Sequence, residues 1–226
     1  MRSRLQPIVS FVAFSVLLAG AASAQVATVT PCTTPVVTAV NSGPYMEGST
    51  VSLTSTTVDN ATYSWSGPGN FTSTLQNPTI GNAVAANSGV YTVTVSNACG
   101  SANASTTVSV WPEPTISIDN VVAKVPPKGQ QGVFTFHITL SNPSVFPVSV
   151  NYYTSNMTAI AGKDYVTTCG TTVFQPGVTE QDETVVVIGT GSSLTKRFAV
   201  NLDKPVNASI ALYYGFRMRG IGVMEP

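Results

Sequence analysis

From Phe134 to Leu140 the chain alternates without a break. Phe134, Phe136, Ile138 and Leu140 fall on one side of the backbone, and Thr135, His137 and Thr139 on the other. A period of two suits a half-buried antiparallel strand and fits no helix face. Val51-Ser52-Leu53 and Tyr91-Thr92-Val93-Thr94-Val95 repeat the pattern, with Gly, Pro, Asn and Ser between the segments. No long segment has helical spacing. The sequence predicts an all-β protein of packed sheets, and strands this closely spaced imply sandwiches.

Only 9% of the 226 residues are charged, against roughly 25% in ordinary soluble domains. Solubility then falls to Ser, Thr, Asn and Gly, which suits exposed strand faces better than exposed helix faces. Between Arg4 and Lys124 there is no Lys or Arg, and Glu47, Asp59, Glu113 and Asp119 are the only charges in that interval. This shift in composition coincides with Trp111-Pro112-Glu113-Pro114, where two prolines in three residues break any sheet ladder. Two sandwiches are expected, at 25–112 and 113–226, each near the usual size of roughly 100 residues.

The N-terminus carries Arg2 and Arg4, an apolar run from Ile8 to Ala22, and the small-residue end Ala22-Ser23-Ala24. These are the three parts of a cleaved secretory signal, and the run is too short to span a bilayer comfortably. The mature chain is expected to start at Gln25, outside the reducing cytosol. No Cys follows the cleavage site, so no lipid anchor is expected, and no C-terminal anchor or sorting motif is recognised. A leader of 24 residues leaves 202, with eight basic against ten acidic residues. A net charge of −2 attracts no polyanion, which argues against nucleic acid as a partner. The odd count of Cys32, Cys99 and Cys169 fits one disulfide and one free thiol.

Asn87-Ser88-Gly89-Val90-Tyr91-Thr92-Val93 resembles the tyrosine corner of immunoglobulin-like domains. Leu53, Trp65 and Val93 then stand where such a domain has its strand B cysteine, its core tryptophan and its strand F cysteine. Trp65-Ser66-Gly67-Pro68-Gly69-Asn70-Phe71 and Asn77-Pro78-Thr79-Ile80 are similar to bacterial immunoglobulin-like and PKD-like surface repeats. The resemblance runs from about Cys32 to Val110. It implies a sandwich with aliphatic packing in place of the core disulfide. It also puts Cys32 and Cys99 at one end, so a Cys32–Cys99 bridge is expected, checked by non-reducing peptide mapping.

From Val133 to Leu202 the chain resembles the Calx-β family of extracellular sandwiches. The marks are Phe134 to Pro143, Pro147 to Tyr152, Ala161-Gly162-Lys163-Asp164-Tyr165 with Phe174-Gln175-Pro176-Gly177, and Phe198 to Leu202 followed by Asn207 to Ile210. Family members that bind calcium draw carboxylates from several loops, and this chain departs from them. The early loop reads Lys124-Val125-Pro126-Pro127-Lys128-Gly129, and Gly191-Ser192-Ser193-Leu194-Thr195-Lys196-Arg197 replaces an acidic segment. Asp164 alone stands at a family ligand position, and Glu180, Asp182 and Glu183 form an acidic run out of register with it. Calcium takes six to eight oxygens, so no calcium, other metal or cofactor is expected.

No catalytic residues are assigned. His137 lacks the neighbours of a metal motif or a nucleophile elbow and reads as an exposed strand residue. Cys169 reads as a buried or half-buried bystander, with a dimer-forming thiol as the alternative. Tyr152-Tyr153 and Tyr213-Tyr214-Gly215-Phe216 are expected to send one ring of each pair inward and one outward. The outward rings are candidates for sugar stacking or protein contact, without a site being named. The sequence thus points to a non-enzymatic exported bacterial protein, secreted or at the cell surface, that binds an extracellular protein or glycan. A subunit of an extracellular polymer is the alternative, since few charges guard the strand edges. A hydrolase with a spatially assembled site is the weaker one.

Overall fold

The computed structural model describes residues Cys32 to Pro226. The expected leader, residues 1–24, and the expected start at Gln25 lie outside the described residues. No helix among them is long and apolar enough to cross a membrane. The chain is all-β, as two tandem sandwiches around two apolar clusters that share no residue.

The first sandwich contains β1 (Ala39–Asn41), β2 (Tyr45–Met46), β3 (Val51–Ser55), β4 (Thr62–Gly67), β5 (Phe71–Ser73), β6 (Thr79–Ile80), β7 (Gly89–Asn97), β8 (Gly100–Val108) and β9 (Val110–Trp111). One layer runs β5-β4-β7-β8, facing β1-β3-β6. Alternation along β3 and β7 buries Val51, Leu53, Tyr91, Val93 and Val95 against Trp65 of β4. The Tyr91 hydroxyl donates to the Asn87 carbonyl at 2.9 Å, the tyrosine-corner bond, and Trp65 Nε1 donates to Gln76 O at 3.2 Å. Gly67 must be glycine, because a Cβ there would lie 2.3 Å from the Tyr91 ring. Cys32 and Cys99 are disulfide-bonded.

Strands stop at Trp111 and resume at Thr115. The second sandwich contains β10 (Thr115–Ile118), β11 (Val121–Lys124), β12 (Gln131–Leu140), β13 (Val148–Asn156), β14 (Cys169–Phe174), β15 (Glu180–Ile188), β16 (Lys196–Val206), β17 (Ser209–Ile210), β18 (Leu212–Tyr213), β19 (Phe216–Arg217) and β20 (Arg219–Glu225). Its sheets are β15-β12-β10-β17 and β11-β20-β16-β13-β14, and β18 and β19 form a separate hairpin. Phe134, Phe136, Ile138 and Leu140 are buried as their alternation requires. They meet Phe198 of β16, whose ring stacks on Tyr165 with centroids 4.7 Å apart and lies 5.9 Å from Phe136 edge-on.

In both sandwiches the first strand breaks into two pieces with different partners. β1 pairs antiparallel with β3, whereas β2, after the bend at Gly43-Pro44, runs parallel to β9. β10 pairs antiparallel with β12, whereas β11, after Asp119-Asn120, runs parallel to β20. These short parallel pairs are invisible to a reading based on alternation, because segments of two to four residues carry no period.

Cys169 corrects an expectation. Thr172 and Phe174 face inward on β14, so alternation sends Cys169 to the outer face, where its free thiol is exposed rather than buried.

Candidate functional site

The β18–β19 hairpin is two residue pairs long, Leu212 with Arg217 and Tyr213 with Phe216, closed by Tyr214-Gly215. Both turn residues have positive φ, 49° at Tyr214 and 80° at Gly215. Two-residue hairpins favour such primed turns, with Asn or Gly leading. Four of the six positive-φ residues other than glycine are Asn, and the others are Lys204 and Tyr214. A bulky residue in the left-handed region costs about 1–2 kcal/mol. The Tyr214 ring recovers none of this by burial, since it is 85% exposed.

Tyr213 and Phe216 are also exposed, at 66% and 77%. This corrects the expectation of one ring in and one out for this run, whereas at Tyr152-Tyr153 it holds, with Tyr152 against the core and Tyr153 exposed. The hairpin pairs only with itself, so no second layer receives an inward ring. Tyr213 and Tyr214 instead meet edge-to-face, with centroids 4.6 Å apart.

The hairpin borders a groove of about 980 Å³ on the outer face of the five-stranded sheet. Phe198, Val200 and Leu202 point into the core from β16, so Arg197 and Asn201 point out. Gly220, Gly222 and Met224 of β20 face inward, so Arg219 and Ile221 point out. Register sets Asn201 directly opposite Arg219. Arg197, Arg217 and Arg219 all line the groove, and no Asp, Glu or Lys does. After Arg4 these are the only arginines in the chain. Among the described residues none of the three has an ion-pair partner.

Asp164, the single residue at a family calcium-ligand position, is fully buried. Its Oδ2 accepts the Ile160 N–H at 2.9 Å, and its Oδ1 accepts from the Lys196 ammonium. Burial pushes the carboxyl up. The Lys196 hydrogen bond, the Ile160 N–H and the charges of Lys196 and Lys163 outweigh burial and hold it below its ordinary value. The two loops from which further carboxylates would come are tied together through backbone. Gly129 N donates to Gly189 O at 2.8 Å, and Gly189 N to Gln130 O at 2.9 Å. These residues do not fit a calcium ion, because an ammonium already holds the one buried carboxylate. Lys196, from the segment that replaces an acidic one, is the partner of Asp164.

His137 has acidic neighbours that sequence proximity did not reveal. Asp119 Oδ2 lies 2.9 Å from its Nδ1, and Asp182 Oδ1 lies 3.7 Å from its Nε2. Asp182 faces His137 across the β12–β15 ladder, and Glu180 shares its face two residues away. The candidate ligand atoms of His137, Glu180 and Asp182 lie within 4.8 Å of one another. All of these groups are largely solvated, as expected of a surface charge cluster. Glu183 points the other way and accepts the Thr172 hydroxyl at 2.7 Å. The Asp119 hydrogen bond chiefly raises the His137 pKa. Desolvation opposes it, and the charges of Asp119, Asp182 and Glu180 add to it.

Residues 113–212 match the family described as the Calx-beta domain. No curated protein sequence matches the chain. Among solved structures it is similar to the apo-form Calx CBD1 domain, at 24% identity over 49% of this chain and 96% of that one, with a TM-score of 0.41. It is similar to the calcium binding domain CBD12 of CALX1.1, at 22% identity over 48% of this chain and 45% of that one, with a TM-score of 0.39. It is also similar to three N-terminal domains of the bacteriophage RB49 highly immunogenic outer capsid protein, at 18% identity over 82% of this chain and 69% of that one, with a TM-score of 0.42.

Proposed function

We propose that this chain is an exported, non-enzymatic binding protein of the cell surface or extracellular matrix, and that it engages its partner through the groove beside the β18–β19 hairpin. The observation that carries the reading is Tyr214. A large aromatic ring is held at φ 49° and left 85% exposed where Asn would sit without strain. Strain that burial does not offset, with only the Tyr213 ring against it, fits a residue kept for contact, and exposed tyrosines beside arginines are the usual anchors of binding surfaces. The exposed rings beside it belong to the same groove. A catalytic role is not supported at His137, to which no hydroxyl or thiol bonds among the described residues.

Two measurements test this. N-terminal sequencing of protein recovered from the envelope or culture fluid is expected to start at Gln25. Fluorescently labelled protein is expected to attach to envelope and matrix preparations, with attachment lost in Tyr214→Asn while the melting temperature stays the same or rises as the strain at φ 49° is relieved. Attachment that survives Tyr214→Asn rules the groove out as the binding face.

A second reading, a self-assembling structural subunit, is favoured by β8. This nine-residue strand ends its sheet and carries no charge or proline to block pairing with another copy. Negative-stain microscopy and size-exclusion chromatography separate the two, since only the second reading produces filaments.

A further inference from the structure

We propose that the groove takes an anionic polysaccharide, with Arg197, Arg217 and Arg219 holding its carboxylate or sulfate groups and Tyr213, Tyr214 and Phe216 stacking on its sugar faces. This rests on the reading of the groove as the binding face and names the chemistry of what fills it.

The amides of the groove are already engaged. Asn201 Nδ2 is committed to Tyr153 O at 3.3 Å and Ser155 Oγ at 2.8 Å. Asn120 Oδ1 is committed to the Ile221 N–H at 2.8 Å. The guanidiniums have no hydrogen-bond or ion-pair partner among the described residues and are the charged donors open to a ligand. A guanidinium is a planar fork that meets two oxygens of a carboxylate or sulfate at once, which an ammonium does not. The chain sorts its cations by this difference. Its five lysines, Lys124, Lys128, Lys163, Lys196 and Lys204, all lie outside the groove lining, and every arginine after Arg4 lies inside it. A surface needing only positive charge would use either residue. With no carboxylate in the lining to offset them, three like charges give the groove a positive potential that favours an anionic ligand.

Size and shape decide among anionic ligands. The groove is at the upper end of the roughly 300–1,000 Å³ typical of small-molecule clefts, and its cations come from two strands and a hairpin. A ligand with repeating anions meets all three, and a single small anion does not. The rings offer flat apolar faces suited to the C–H faces of sugars. An acidic peptide could meet the same guanidiniums, but β16 and β20 are interior strands with no edge to pair with it, and it would leave the three exposed rings without the flat C–H faces they suit; polyglutamate is therefore one arm of the test. A bilayer presents a plane, and these rings and guanidiniums line a concavity.

The test titrates the purified protein with polygalacturonate, dextran sulfate, neutral dextran, polyglutamate and phosphatidylglycerol vesicles, followed by calorimetry. At least one anionic glycan is expected to bind, more weakly as salt rises, and neutral dextran is not. Binding to polygalacturonate alone assigns carboxylates, and binding to dextran sulfate alone assigns sulfates. The pair Arg217→Gln with Arg219→Gln, and separately Tyr214→Asn, are each expected to weaken that binding by about tenfold, with no drop in melting temperature. The proposal is overturned if neither anionic glycan binds, if polyglutamate or the vesicles bind at least as tightly, or if the arginine pair binds like the wild type. If the glycans fail while Tyr214→Asn still abolishes attachment to envelope material, the groove stands and only the ligand class falls.

Discussion

The two sandwiches solve the same packing problem with different materials. The first closes around Trp65 and Tyr91 with no basic residue anywhere between Arg4 and Lys124. Its polar links are hydroxyls and amides, such as Gln76 Nε2 to Thr57 Oγ1 at 2.7 Å and Asn41 Nδ2 to Thr106 Oγ1 at 2.7 Å. The second closes around Phe198, and every ion pair among the described residues lies in it. A sandwich can therefore close without ion pairs, on apolar alternation, neutral hydrogen bonds and one disulfide. Where charge enters, it acts locally. Lys196 neutralises a buried carboxylate, and the arginines line the groove.

Opening one core puts the separateness of the two under the greatest stress. Trp65 is 1% exposed, and Trp65→Ala is expected to cost about 3–5 kcal/mol. Because the two apolar clusters share no residue, urea unfolding followed by tyrosine and tryptophan fluorescence should show the first sandwich weakened and the second unfolding as before. Phe198→Ala should give the mirror image. If either variant weakened both sandwiches equally, the two cores would not be independent.

Lys196→Met tests whether charge in the second sandwich is structural. Asp164 is 1% and Lys196 19% exposed at the side chain, so removing the ammonium strands a buried carboxylate. The expected loss is about 3 kcal/mol at neutral pH. In the wild type the Asp164 carboxyl is held below its ordinary 3.8. Its stabilising contribution is therefore complete above that value and is lost as pH falls through the lowered one. In Lys196→Met burial is opposed only by the Ile160 N–H and the Lys163 charge, so the deficit should shrink in acid as the carboxyl protonates. Adding Asp164→Asn should restore most of the stability. Calcium should leave the wild-type melting temperature unchanged, and a large rise would refute the assignment of Lys196 as the resident cation.

Legibility in the sequence divides along similar lines. Alternation exposed the core faces of β7 and β12, and the spacing of Leu53, Trp65, Tyr91 and Val93 located the first core, because burial imposes a period on residue type. The split first strands were not legible, since β2 and β11 are too short to carry a period. The surroundings of His137 were hidden because register, rather than sequence distance, sets Asp182 opposite it. The groove was half legible. The aromatic run at Tyr213 to Phe216 stood out, but its convergence with Arg197 depends on how β16, β20 and the hairpin meet. That Lys196 pairs with Asp164 was not legible, because 32 residues separate them and only the fold brings them together.

A smaller change probes the first sandwich's reliance on neutral hydrogen bonds. Tyr91→Phe keeps the ring against Gly67 and Phe71 and removes only the bond to Asn87 O. The expected cost is about 1 kcal/mol, read as a lower urea midpoint at unchanged slope. A variant as stable as the wild type would mean that the corner is held by the ring alone.

The smallest effect belongs to the surface of the second sandwich and is read from its pH dependence. His137 faces Asp119 from the β10–β11 bend and Asp182 and Glu180 from β15. No Lys or Arg pairs with these three carboxylates among the described residues. With the folded pKa raised above 6.5, chiefly by the Asp119 hydrogen bond, the charged imidazole favours the folded state. That contribution is complete below 6.5 and is lost as pH rises through the higher folded value. Melting temperature should therefore decline gently across that interval in the wild type and stay flatter in His137→Gln. Asp119→Asn separates charge from geometry. Its side-chain oxygen can still accept the His137 backbone N–H, which Asp119 Oδ1 accepts at 2.9 Å, while the carboxylate charge is gone. The slope should shrink and the strand bend persist. If the three proteins gave superimposable pH profiles, the cluster would be solvated charge with no hold on folding, and the second sandwich would depend on charge only at Lys196.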